Sequence, residues 1–289
     1  MALRLELPSR SSLAAVASGV SQAYGTRNVG LGLGAAAALL AFQPWLFLTC
    51  CWAVALTLPF NMRFEQERFE QGLYLFNPLL FGCFAFAAFG FGLASLVAVT
   101  VAVPLIVFVA LRLEALGWRS YFTMPYIVAA YLTVVFASGA LPSFPVVRVD
   151  DIFIGGTVRS FAQVLLSADL RVGACVLLAA LLTAPVAATW ALGVSAILSL
   201  AWVAVGLDPS IEAAGLVGYN AVIFTLYVGR DLGARLPQYV IALMGGALTH
   251  LLFYGIDLAP YTFPFVVSGW LYLALCSRAP GLWPGVRPT

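Results

Sequence analysis

Two asparagines, Asn77 and Asn220, each follow an aromatic residue inside a long apolar stretch: Leu73-Tyr74-Leu75-Phe76-Asn77-Pro78-Leu79-Leu80-Phe81-Gly82 and Leu216-Val217-Gly218-Tyr219-Asn220-Ala221-Val222-Ile223-Phe224-Thr225. A carboxamide both donates and accepts hydrogen bonds without carrying charge, and buried among apolar residues it needs partners. One reading is that each Asn caps the helix it begins. The other takes the repetition seriously: two such steps at matching points of two halves point to one solute site made by internal duplication, and hence to transport. Other chemistry has little to work with. Cys50, Cys51, Cys83, Cys175 and Cys276 lie in or beside apolar runs without metal-ligand spacing, so they read as packing residues. A lone His250 and scattered carboxylates offer no nucleophile–base pair and no metal set. The expectation is no enzyme, no metal and no cofactor.

The elements that position these residues repeat with them. Gln22, Asn28, Gly32 and Pro44 are followed, each 141 positions later, by Gln163, Asp169, Gly173 and Pro185. Asn77 and Asn220 are 143 apart, and Thr123-Met124-Pro125-Tyr126 recurs 139 positions on as Thr262-Phe263-Pro264-Phe265, so the drift in register marks small loop insertions and deletions. Pro78 and Gly82 interrupt the apolar run at Asn77, and Gly215 and Gly218 precede Asn220. Both segments read as short re-entrant helices. A helix that starts at mid-membrane leaves free backbone N–H groups, tolerated only where the chain lines a cavity.

Composition fixes the surroundings. With 63% hydrophobic and 9% charged residues and a mean hydropathy of +1.01, the chain is a polytopic membrane protein. Apolar stretches near 29–60, 79–111, 121–142, 172–206, 213–229, 238–256 and 262–277 leave room for about ten spans or part-spans. Runs such as Ala35 to Leu40 lack the alternation of a transmembrane barrel, so the fold class is all-α. The net charge of +2 gives no reason to expect nucleic acid as a partner.

Residues 141–158, with Pro142, Pro145, Asp150, Asp151, Gly155 and Gly156, read as a linker between a first repeat at 1–140 and a second at 159–289. Arg4 and Arg10 precede the first apolar run, and Arg278 and Arg287 follow the last, which places both termini in the cytoplasm. No short apolar core with a small-residue cleavage site follows the first charges, so no cleavable signal is expected. Two repeats of about five spans each, an odd number, then insert in opposite senses.

At this point the chain resembles the urea transporter family. That family carries a Gly-aromatic-Asn step at each re-entrant helix and a Leu-Pro-x-x-Thr-x-Pro-Phe signature. Leu258-Ala259-Pro260-Tyr261-Thr262-Phe263-Pro264-Phe265 matches the signature except at Ala259, and Arg119 to Tyr126 is a degenerate first copy keeping Thr123 and Pro125. The resemblance implies a slot between the halves with Gln22 and Gln163 near its two mouths, Phe76 and Tyr219 stacking on a planar solute, and Thr123 and Thr262 at the narrow centre. It implies a homotrimer with one pore per protomer, in a bacterial inner membrane. One departure stands out. Where the family often has phenylalanine three positions after the mouth glutamine, this chain has Gly25 and Leu166, leaving Tyr24 as the nearest first-half aromatic; the outer wall is then altered or wider, unless Leu166 serves as the flat wall.

Urea suits such a slot. It is flat, neutral and dipolar, with four N–H bonds, so removing its water requires a row of acceptors and flat apolar walls. Inward-facing half-helix N-termini disfavour cations at the same place. Arg112, Glu114 and Arg119, the pair Asp208 and Glu212, and the group Arg230, Asp231 and Arg235 read as solvated loop charges, and Asp169 with Arg171 as a loop ion pair. No buried relay is evident, which favours passive flow over coupling. The alternatives are a channel for formamide, acetamide or other small amides, and an ion-coupled secondary transporter; an ammonia channel would call for paired pore histidines.

Overall fold

The computed structural model describes residues 10–118, 120–137 and 152–277. It is helical throughout these residues, without a strand. Fourteen α-helices follow in order: α1 (Arg10–Gln22), α2 (Val29–Phe42), α3 (Pro44–Thr57), α4 (Gln66–Glu70), α5 (Phe76–Phe89), α6 (Leu93–Ala115), α7 (Met124–Phe136), α8 (Ile152–Gln163), α9 (Leu170–Thr183), α10 (Pro185–Ala204), α11 (Pro209–Ala213), α12 (Tyr219–Val228), α13 (Leu236–Gly255) and α14 (Phe263–Ser277). The order α1 to α7 recurs as α8 to α14, short helix matched to short helix. Of the stretch read as a linker, residues 152–158 form the first turns of α8, and 141–151 lie outside the described residues, as do Arg4, Arg119, Arg278 and Arg287.

Helix boundaries follow from residues that recur in register. Asn28 accepts the Leu31 N–H at 3.2 Å and Asp169 accepts the Arg171 N–H at 2.8 Å, capping α2 and α9. Pro44 and Pro185 open α3 and α10, and the residues before them, Gln43 (φ −141, ψ 62) and Ala184 (φ −146, ψ 61), take one and the same non-helical conformation. The apolar stretch at 29–60 is therefore two helices, because a proline ring forbids the helical continuation. Among the described residues three helices, α6, α10 and α13, are long and apolar enough to cross a membrane by themselves. At 1.5 Å per residue, α5 is about 21 Å long and α12 about 15 Å, against a hydrocarbon core of about 30 Å, so neither can cross alone.

The halves meet along α2 and α9, which run antiparallel. Asn28, at the start of α2, donates from Nδ2 to the Thr183 carbonyl at the end of α9, at 3.1 Å. At the other end the Arg171 guanidinium lies over the Phe42 ring, 4.9 Å from its centroid. Within each half α1 packs on α2 through Gly32 and α8 on α9 through Gly173; a methyl group at either glycine would strike the backbone carbonyl of Ala17 or of Val158, which are themselves 141 positions apart. Outward faces stay apolar: Val97, Val101 and Phe108 on α6, Ile197 and Leu200 on α10, and Leu248 and Leu252 on α13 are exposed, as a helix surrounded by lipid requires.

Candidate functional site

Each asparagine side chain is spent on the helix after next. Asn77 donates from Nδ2 to the Phe122 carbonyl at 3.1 Å and accepts the Tyr126 N–H at Oδ1 at 3.2 Å. Asn220 donates to the Tyr261 carbonyl at 3.1 Å and accepts the Phe265 N–H at 3.2 Å. At 2% and 7% exposure, both amides are cut off from bulk water. Neither caps its own helix: the caps of α5 and α12 are Leu75 and Gly218, without side-chain bonds. Instead each Asn satisfies a free N–H in the first turn of α7 or α14 and clamps the loop before it.

What the clamps hold is conformationally unusual. Phe122 (φ 49) and Tyr261 (φ 44) are left-handed although neither is glycine, at a cost of order 1–2 kcal/mol each. The residues that follow, Thr123 and Thr262, are thereby brought face to face. The Thr262 hydroxyl donates to Thr123 Oγ1 at 2.7 Å, joining the two halves at a buried point.

The entrances to α5 and α12 are tied back by the glutamines. Gln22 Nε2 donates to the Gln71 carbonyl at 3.1 Å, and Gln163 Nε2 to the Ala214 carbonyl at 2.8 Å. Next to these carbonyls stand Gly72 (φ +76) and Gly215 (φ +81), where a side chain is excluded both by the backbone conformation and by the chain of Gly19 or of Ser160 lying directly against it. Gln163 is buried and its Oε1 has no partner, an acceptor left free.

Around the threonine pair the rings converge. Tyr261 packs edge-on against Phe84, Tyr126 and Tyr131 with centroids 5.7, 6.2 and 5.1 Å away, and Phe122 packs edge-on against Tyr227 and Phe265 at 5.3 and 5.2 Å. The Tyr219 hydroxyl donates to the Tyr261 carbonyl, a bond that Phe76 cannot make to Phe122 in the first half. On the second-half side lies a cavity of about 320 Å³ whose wall includes Tyr131, Leu166, Leu216, Tyr219, His250 and Tyr261. His250 also faces a smaller cavity of about 170 Å³ beside Asn220 and Trp202.

At the corresponding place in the first half stands a charged network. Arg68 pairs with Glu114 at 2.8 Å, Tyr74 and Tyr121 donate to the same carboxylate at 2.7 and 3.2 Å, and burial with the Glu114 bond pushes the Tyr74 hydroxyl up to about 12. The second-half counterparts of Arg68, Tyr74 and Tyr121 by register are Ile211, Val217 and Pro260, of which Ile211 and Pro260 line the open cavity. The two halves thus differ at this place.

Of the residues singled out in the sequence, Thr123 and Thr262 touch, Asn77 and Asn220 flank them, and Leu166 and Tyr219 share one cavity wall. Phe76 is buried at the head of α5. Gln22 and Gln163 hold matching loops on opposite halves. Tyr24, the nearest first-half aromatic, is fully buried, its hydroxyl bonded to the Phe161 carbonyl at 2.9 Å. The space a side chain at Gly25 would fill is taken by Tyr227, whose Cβ stands 2.7 Å from where a Cβ of residue 25 would lie. Several charges read as solvated are enclosed. Glu114 carries the network just described, and Glu212 and Arg235 are buried, because short α11 and the loops fold back onto the helices instead of into water. Asp169 and Arg171 do form a local ion pair at 2.7 Å, and the guanidinium bonds hold the Asp169 carboxyl below its usual range. The left-handed Phe122 and Tyr261 were legible only as the residues before each Thr-x-Pro step.

The profile of the urea transporter family matches residues 13–277, nearly the whole chain. The chain belongs to the urea transporter family. Its members carry urea across a membrane and are transporters, not enzymes, so urea is the solute of this transporter. No curated protein matches the chain.

Proposed function

We propose that urea crosses passively through a narrow slot between two halves inserted in opposite senses, with α5 and α12 as re-entrant half-helices meeting near the membrane centre. The antiparallel α2–α9 seam supports the opposite insertion, since equivalent helices of two repeats run antiparallel when a two-fold axis lies in the membrane plane. The observation that carries the reading is the Thr123–Thr262 hydroxyl pair, held by two matched asparagine clamps and ringed by aromatic side chains. Hydroxyl and carbonyl oxygens accept the urea N–H groups as its water is removed, while rings face its flat sides. Gln22 and Gln163 stand toward the two mouths, Phe76 and Tyr219 are the stacking walls, and Leu166 shapes the wider mouth.

On the same resemblance we place the protein in a bacterial inner membrane as a homotrimer, one slot per protomer, with both termini in the cytoplasm. The test is flux in liposomes under an osmotic shift, with and without a proton or sodium gradient. Urea entering down its gradient at the same rate in each case supports a channel, and accumulation driven by an ion gradient overturns it. Thr123→Val with Thr262→Val removes both central oxygens at nearly constant volume; each is a net hydrogen bond worth about 0.5–1.5 kcal/mol to a passing solute, so urea flux falls by about fivefold or more. Unchanged flux removes this pair from the path.

A further inference from the structure

Glu212 is 0% exposed, and neither of its carboxylate oxygens has a hydrogen-bond partner. It lies on α11, which packs on α8 and α10. Its Oε1 rests against Gly156 of α8, where an added methyl group would collide with it. Ser199 of α10 faces the carboxylate and favours its charged form, and Ser195, one turn away on α10, is fully buried with a free hydroxyl. Ser160 extends the polar patch, bonding the carbonyls of Gly156 and Gly215 at 3.1 and 3.0 Å.

The first half shows that the fold does not need this patch. By the register that relates α1 to α8, α3 to α10 and α4 to α11, the counterparts of Ser160, Ser195, Ser199 and Glu212 are Gly19, Val54, Leu58 and Phe69. Phe69 is buried in the apolar core. One half fills the place with a phenyl ring, and the other puts a carboxyl group there at considerable desolvation cost.

A buried carboxyl is stabilised by an ion pair, by a bound cation or by a proton. Among the described residues no ion pair involves Glu212. Arg159 is the one charged residue on α8 and none lies on α10; its Nη1 donates instead to the Ala213 carbonyl at 3.0 Å. On α11's own flank, Asp208 caps the helix through Ser210 N–H. No group of three metal-binding side chains is present among the described residues. We propose that the pocket between α8, α10 and α11 is a proton-binding site, with Glu212 as the acceptor, whose occupancy sets how α11 seats against the wider mouth. Burial raises the Glu212 carboxyl to about 7, with Ser199 and the Arg159 charge pulling the other way. The neutral acid fits the pocket, whereas the carboxylate draws in water and loosens α11. That movement reaches the mouth because Ile211 and Leu216 line its cavity and Gln163 is tied to Ala214.

The consequence for flux rests on the slot proposed above; the protonation itself does not. The test uses the full chain in lipid. An infrared titration from pH 5.5 to 8.5 is expected to show a protonated carboxyl band that disappears with rising pH and is missing from Glu212→Gln. Urea flux in wild-type liposomes is expected to fall by up to about tenfold from pH 6 to 8, the ratio of neutral fractions for a group titrating near 7, and to stay at the acid value in Glu212→Gln. If Glu212→Gln does not assemble, Ser199→Ala, which removes a group favouring the carboxylate, is expected to move both transitions to higher pH. A carboxyl band that persists in Glu212→Gln, or one whose loss follows sodium concentration instead of pH, overturns the proposal, as does flux that is flat with pH alongside an intact titration. Absent urea flux at every pH with an intact titration defeats the slot and leaves the proton site standing.

Discussion

The two asparagine clamps make a prediction sharper than either alone. Asn77→Leu keeps the volume but strands two buried backbone groups, the Phe122 carbonyl and the Tyr126 N–H. Asn220→Leu strands only the Phe265 N–H outright, because the Tyr261 carbonyl keeps its bond from the Tyr219 hydroxyl. An unsatisfied buried group costs about 1–3 kcal/mol, so Asn77→Leu is expected to destabilise by about 2–6 kcal/mol and Asn220→Leu by about 1–3. Part of each loss returns if Phe122 or Tyr261 relaxes out of its left-handed conformation, worth about 1–2 kcal/mol in either half, so the correction is alike for the two variants and their order holds. Tyr219→Phe alone is expected to be mild, while Tyr219→Phe with Asn220→Leu approaches the Asn77→Leu value, a coupling a double-mutant cycle reads directly. Thermal unfolding in one detergent, with urea flux in liposomes, measures all four variants. Equal losses for Asn77→Leu and Asn220→Leu, or no coupling between Tyr219 and Asn220, would refute the reasoning.

Further outcomes follow from the differences between the halves. Gly25→Phe, which restores the aromatic common in the family, is expected to lower stability by about 2–5 kcal/mol, since Gly25 is left-handed (φ +69) and Tyr227 fills the space, whereas Leu166→Phe at an already left-handed residue (φ 52) leaves the melting temperature nearly unchanged and narrows the mouth. Glu114→Gln leaves Arg68 without its charge partner and is expected to cost about 1–3 kcal/mol, reduced toward the lower figure because the pair is partly solvated, read as a fall in unfolding temperature at neutral pH. Stability is also expected to depend on pH through Glu212. Its folded carboxyl sits near 7 against an ordinary 4.5, so the folded state binds the extra proton and is favoured by acid; stability then falls by ~3 kcal/mol as pH rises from about 4.5 to 7 and levels off above, and Glu212→Gln removes that slope.

The parts of the fold legible in the sequence are those set by local chemistry. Asn28 and Asp169 cap helices because their side chains reach N–H groups two or three residues on, and Pro44 and Pro185 break helices wherever they stand. The repeat made both visible, since a cap and a proline kept their spacing in two places. What Asn77 and Asn220 bind was not legible, because their partners are 41 to 49 residues away and are backbone atoms, which carry no sequence signal. Burial of Glu212 and Arg235 was hidden for a related reason: near a proline or a glycine a charged residue looks like a loop residue, and only the fold decides whether that loop meets water.

Comparing the halves with each other recovers some of what a single sequence withholds. Features present in both, such as the asparagine clamps, the left-handed residue before each threonine and Gly72 with Gly215, belong to the frame, since either half would lose its geometry without them. Features present in one half alone cannot be required by the frame, because the other half folds without them. By that argument the Arg68–Glu114 network, facing Ile211 and Pro260 across the register, and Glu212, facing Phe69, are departures from a common plan. A strictly symmetric slot would treat a solute alike from both sides of the membrane. This chain places a charged network at one of two matching positions and a cavity beside a buried carboxyl at the other, so any response to pH should act from the second-half side, and Glu212→Gln should alter flux while Phe69→Leu, at the matching place, should not.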